Sequence, residues 1–199
     1  MNTKEIRVGL GLVTLIGVVA VLTFAFQRPD NFRGTLYDPA QPAPEFALTR
    51  ADGQPFRLSA EKGKLVFLYF GYTFCPDVCP TTMADLRKMH QAVGAKADQF
   101  DVVFVTVDPD RDTPEKMQQY ASAFDPGFIG LSGSMDELQP VWAEYGVYRE
   151  IEASTSSTDY SVTHSSLLYL IDQEGNLRLS YSFGTPPEDI AHDVNLLLK

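Results

Sequence analysis

The spacing of apolar and polar positions divides this chain into an apolar run, a polar stretch and a folded part. Val8 to Phe26 reads VGLGLVTLIGVVAVLTFAF, nineteen positions without a charge. As an α-helix it would cover roughly 28 Å, close to the ~30 Å hydrocarbon thickness of a bilayer. Lys4 and Arg7 precede it, which favours a cytoplasmic N-terminus, although Arg28 and Arg33 follow it. A cleaved signal peptide is the competing interpretation. Against it, the run exceeds a signal peptide's apolar core and FAFQRPDN offers no small-x-small cleavage site. The expectation is a cytoplasmic tail over 1–7, a single transmembrane helix over 8–26, a linker over 27–43 rich in Pro, Asp and Asn, and one folded domain over 44–199.

Within that domain the periodicity alternates between strand and helix. PEFALTRADGQPFRL predicts a hairpin turning at Ala51-Asp52-Gly53. LVFLYFGY, opened by Lys64, is apolar on both faces and reads as a strand in the middle of a covered sheet. Pro80 suits the first turn of a helix with Cys79 at its cap. Met83, Leu86, Met89 and Val93 then follow at helical spacing before Gly94 ends it. FDVVFVTVD is a second buried strand, running into the turn DPDRDTP. Thr113-Pro114 opens a helix, and Ser134 with Glu137 forms a capping box for another through Trp142. SSLLYLID and NLRLSYSF form a hairpin around Gln173-Glu174-Gly175, and Thr185, Pro186 and Glu188 start a last helix carrying Ile190, Val194 and Leu197 on one face. This order predicts an α/β fold: a thioredoxin-like sandwich with an N-terminal β-hairpin extension, parallel in its middle and antiparallel at the closing hairpin.

Composition narrows the function. The chain has 199 residues, 44% of them hydrophobic, enough for a proper core. Its formal charge is −10, which argues against a nucleic-acid partner, since phosphates need basic patches. An anchored domain outside the cytoplasm belongs most simply in a bacterial periplasm, on the inner membrane. That compartment is oxidising, so a cysteine pair there must contend with disulfide formation.

The chain has two cysteines, Cys75 and Cys79, in GYTFCPDVCP. In a helix-like turn, positions i and i+4 face the same way, so two sulfurs can share one partner. A sulfur at a helix N-terminus is favoured as thiolate, the form that attacks disulfides and binds soft metals. A structural disulfide would close a loop too small to contribute much stability. Two sulfurs alone leave redox and metal chemistry both open. Among the three histidines, His90 and His192 lie within helices and read as surface residues, whereas His164, in SVTHSSLLYL, stands just before a strand of the same sheet.

GYTFCPDVCP, VTVDPDRDTP and DYSVTHSS, in that order and spacing, resemble the Sco/SenC family of copper proteins, from about Pro44 to the C-terminus. The resemblance implies copper held by Cys75, Cys79 and His164. It also implies a role in building the dinuclear copper centre of cytochrome c oxidase, by handing copper to the copper-bearing subunit or by reducing that subunit's cysteines. Another copper chaperone is the implied donor. Two thiolates and an imidazole suit Cu(I), leave a position open for ligand exchange, and compete with disulfide formation for the same pair. Asp108 reads either as an outer carboxylate orienting His164 or as a turn-forming residue before proline. Asp108, Asp110 and Asp112 together read as a solvated acidic loop, Ala153 to Tyr160 as a polar mobile loop, and Met83 and Met89 as core.

Three functions compete. A copper metallochaperone needs His164; a membrane-tethered thiol–disulfide oxidoreductase needs only the cysteines. A peroxide-consuming relative of peroxiredoxins would need Pro-x-x-x-Thr-x-x-Cys around Cys75, where Gly71 and Tyr72 stand instead.

Overall fold

The computed structural model describes residues 31–156 and 159–198. The expected anchor over 8–26 lies outside them, and among the described residues no helix is long and apolar enough to cross a membrane.

The first described strand, β1 (Thr35–Pro42), falls where a linker was expected. It pairs antiparallel with the last strand of the sheet and forms an edge. An edge strand can carry prolines and expose most of its side chains, so no apolar period marks it in the sequence. The segment before it is tied down as well: the amides of Arg33 and Gly34 donate to the buried carboxylate of Asp193. The hairpin follows as predicted, β2 (Ala47–Thr49) against β3 (Pro55–Arg57). Next comes β4 (Leu65–Gly71), buried at all seven positions.

Helix α1 (Val78–Val93) ends at Gly94 with φ +63°, a conformation that glycine adopts freely. Then come β5 (Phe100–Thr106), α2 (Pro114–Phe124), β6 (Ile129–Leu131) and α3 (Met135–Glu144), the last opened by the predicted Ser134–Glu137 capping box. Strand β6 was not expected; three residues are too few to show a period. The chain continues as β7 (Arg149–Ser156), β8 (Asp159–His164), β9 (Leu168–Ile171), β10 (Asn176–Tyr181) and α4 (Pro187–Leu197). Of the mobile loop expected over 153–160, residues 153–156 and 159–160 belong instead to β7 and β8, which pair as an antiparallel ribbon, while 157 and 158 lie outside the described residues. Polar side chains hid it: a ribbon off the main sheet has little apolar surface to bury.

The six-stranded sheet runs β1-β10-β9-β4-β5-β6, parallel across β4, β5 and β6 and antiparallel elsewhere. Alternation along β4 sends Leu65, Phe67 and Tyr69 to one face, where Met83, Leu86, Met117, Ile190 and Val194 cover them from α1, α2 and α4. Val66, Leu68 and Phe70 face the other way, onto α3 and the β2–β3 hairpin. This is the thioredoxin-like sandwich that the element order predicts. Cys75 touches the cores of both layers. The site therefore sits at the end of the central strands, where ligands of open α/β sheets are bound.

Candidate metal centre

Strand β4 delivers the cysteines. Its last residue, Gly71, lies so close to Cys79 that a Cβ there would come within 2.7 Å of Sγ and of the Phe104 ring. Only glycine fits without displacing the sulfur. The chain then passes through buried Tyr72 and exposed Phe74 to Cys75, which is half-buried, and enters α1 at Val78. Cys79 thus lies inside the first turn rather than at its cap, and it is fully buried.

That shift reverses the expected roles of the sulfurs. The backbone N–H of Cys79 donates to Cys75 Sγ at 3.3 Å. A hydrogen bond from the Cys79 thiol is the largest influence holding Cys75 as a thiolate, with its pKa lowered to about 4. The same bond, together with burial, pushes the Cys79 thiol well above the ordinary range. Helix-terminus electrostatics predicts a thiolate at Cys79; donors converging on Cys75 place it one turn earlier. Tyr69 Oη, 3.7 Å from Cys79 Sγ, supplies a further donor to the buried sulfur.

His164, the last residue of β8, completes the group. Its Nε2 lies 3.5 Å from Cys79 Sγ, and the three ligand atoms of Cys75, Cys79 and His164 lie within 4.8 Å of one another. The imidazole Nδ1 is 2.7 Å from the carbonyl oxygen of Ser165. A carbonyl only accepts, so Nδ1 carries the hydrogen and Nε2 turns its lone pair toward the sulfurs, as metal-ligating histidines require. A ring edge of Tyr72 packs on the same imidazole, 5.8 Å between centroids. Two sulfurs and one aromatic nitrogen form a soft, three-donor set with an open side.

The remaining candidates fall elsewhere. His90 is not a free surface residue: its ring packs edge-on against Phe100 and Phe128 and its Nδ1 pairs with Asp125 at 3.1 Å. His192 pairs with Asp193, and Met83 and Met89 are core as expected. The acidic run is not uniformly solvated. Asp110 is exposed, but Asp108 and Asp112 are fully buried. Asp112 accepts from the Thr73 amide at 3.1 Å and hydroxyl at 2.5 Å and from Thr106 Oγ1 at 2.9 Å, tying the cysteine loop to β5. Asp108 forms no hydrogen bond to His164 among the described residues; its carboxylate takes Arg111 Nε and Tyr160 Oη. Sequence reasoning missed Gly71, Tyr72, Arg111 and the Asp112 tie. One signal was available, a lone arginine within an acidic run.

The SCO1/SenC family model matches residues 35–199. An SCO2-like protein of Rickettsia felis is 30% identical, the match covering 96% of each chain. Among solved structures, Bradyrhizobium japonicum ScoI with copper bound is 36% identical, with a TM-score of 0.72 over 78% of this chain and 99% of that one. Apo Sco1 from Thermus thermophilus is 36% identical, with a TM-score of 0.77 over 85% and 98%.

Proposed function

Because the chain belongs to the SCO1/SenC family, we propose that it binds copper through Cys75, Cys79 and His164 and passes it to the copper-bearing subunit of cytochrome c oxidase. The observation that carries this reading is the convergence of three soft donors, two from the β4–α1 junction and one from β8, within 4.8 Å. The donor set fits the ion: thiolates and imidazole select Cu(I), and three ligands leave one approach open for an acceptor's ligand. Copper is the cargo. The residues bind it, Ser165 orients the imidazole, and the sandwich shields the buried sulfur from water. In the same reading the segment 8–26 anchors the domain to a bacterial inner membrane, with the site in the periplasm and another copper chaperone as donor.

A specific observation also favours thiol chemistry. Cys75 is accessible and held as thiolate, while Cys79 is buried and protonated, the division of labour between an attacking and a resolving cysteine. Reduction of the acceptor's cysteines is therefore the second reading, and it has no use for His164.

Metal analysis of the reduced protein separates them. Stoichiometric copper in wild type, loss of binding in Cys75→Ala, and an affinity in His164→Ala lower by at least the roughly 10- to 100-fold that losing an outer partner alone causes support the carrier. Full copper affinity in His164→Ala would remove the third ligand and leave the dithiol reductase.

A further inference from the structure

Arg111 occupies the seam between the two parts of the site. Its guanidinium lies over the Tyr160 ring at 3.6 Å, the Phe74 ring at 4.7 Å and the Tyr72 ring at 5.7 Å. Nε donates to Asp108, itself fully buried, and Nη1 donates to the backbone carbonyl of Tyr160 at 2.9 Å. Nη2 is buried with no hydrogen-bond partner among the described residues. A guanidinium held by three rings, a carboxylate and a backbone carbonyl ties together the segments that supply them.

What it holds is the ribbon bearing His164. Tyr160 lies on β8, four residues before the histidine; Phe74 precedes Cys75; Tyr72 follows the last residue of β4. Tyr72 packs against the His164 ring and its hydroxyl accepts the Val162 amide at 3.3 Å. One cation thus spans the cysteine loop, the β5–α2 turn and β8. A two-stranded ribbon is marginal by itself, so its attachment decides where its end points.

We propose that Arg111 is a positioning residue that fixes His164 over the two sulfurs, with Asp108 aligning the guanidinium and Tyr72 relaying its hold to the imidazole. The proposal rests on the three-ligand reading above. Arg111 touches none of the ligand atoms; it acts through β8 and Tyr72.

The test is a double-mutant cycle on reduced full-length protein. Cu(I) affinity is measured by competition with a chromophoric chelator, and the nitrogen signature of the Cu(II) form by electron paramagnetic resonance. Arg111→Met is expected to weaken Cu(I) by about tenfold and to diminish the nitrogen signature. In the His164→Ala background the same change adds less than about twofold, because there is no histidine left to position. Losses that multiply, or a nitrogen signature unchanged in Arg111→Met, overturn the proposal. Should Arg111→Met not fold, Arg111→Lys, which keeps charge but not the planar stack, takes its place in the same cycle. A second readout needs no metal: amide exchange in β8, at Val162 above all, accelerates in the Arg111 variant, and unchanged exchange overturns the clamp. If wild type takes up no copper, the three-ligand reading has failed and the exchange measurement still decides the role of Arg111.

Discussion

The two sulfurs and the imidazole reach the same point from regions built in opposite ways. The cysteine loop grows out of β4, whose seven residues are buried between two layers of core. The histidine comes from a polar ribbon outside the six-stranded sheet, joined to the domain through Val162, Tyr72, Arg111 and Arg149. One half of the site is set by hydrophobic packing, which is non-directional and resists displacement. The other half is held by a few directed polar contacts, each of which can be removed singly. A site made this way keeps its thiol pair when its nitrogen is withdrawn, so the proposed copper binding and the alternative dithiol chemistry would be separable by mutation.

The largest effect that sharpens this contrast lies within the cysteine pair. With its pKa lowered to about 4, Cys75 is fully ionised throughout pH 6–8, so its alkylation by iodoacetamide is expected to be flat across that interval. An unperturbed thiol would instead lose about tenfold in rate per unit as pH falls below its pKa. Cys79, buried and raised, is expected to react at least about 100-fold more slowly. Mass spectrometry of the labelled peptides reads both; equal labelling of the two sulfurs would contradict the asymmetry.

A smaller effect probes the packed half. Gly71→Ala places a methyl group 2.7 Å from Cys79 Sγ and the Phe104 ring, and overpacking of this kind costs about 2–3 kcal/mol. Urea denaturation measures it, and a stability within 0.5 kcal/mol of wild type (a change of the usual size for surface substitutions) would show that the sulfur is not confined.

The smallest concerns Asp112. Exchanging its carboxylate for an amide opposes donors at Thr73 and Thr106 with a donor, for a loss of about 1–2 kcal/mol. Amide exchange is expected to rise in the cysteine loop and to stay unchanged in β8. A rise in both would show that the two regions are coupled more tightly than their contacts imply.

Legibility in the sequence divides along the same line. Residues that bury apolar surface announce themselves: β4, β5, the Met83–Leu86–Met89 face and the closing hairpin all follow from periodicity, and with them the sandwich and the place of the cysteines. The ribbon carries no such pattern, because its strands pair with each other and only Val162 is buried among its described side chains. Its existence depends on contacts between positions far apart in the chain, Tyr160 with Asp108 and Val162 with Tyr72, which no local window contains. His164 stood out by its place just before a strand of the same sheet, and its role as a ligand came from the resemblance of DYSVTHSS to the family motif. The ionisation of the cysteines was misassigned because α1 begins two residues earlier than expected, at Val78 rather than Pro80, and that decides which sulfur meets the amide of the other. The polar stretch before the domain misled for a related reason, since an exposed edge strand and a tether share a composition.

The bare backbone at Gly71 has one more consequence. With no side chain between strand and sulfur, Cys79 rests directly on the main chain of the central sheet and inherits that framework's stiffness. A guest ion would meet one immovable donor and two that can yield. Adjustment to ionic radius, and the first bond to open when an acceptor approaches, would then fall on Cys75 and His164, the donors with a face toward solvent.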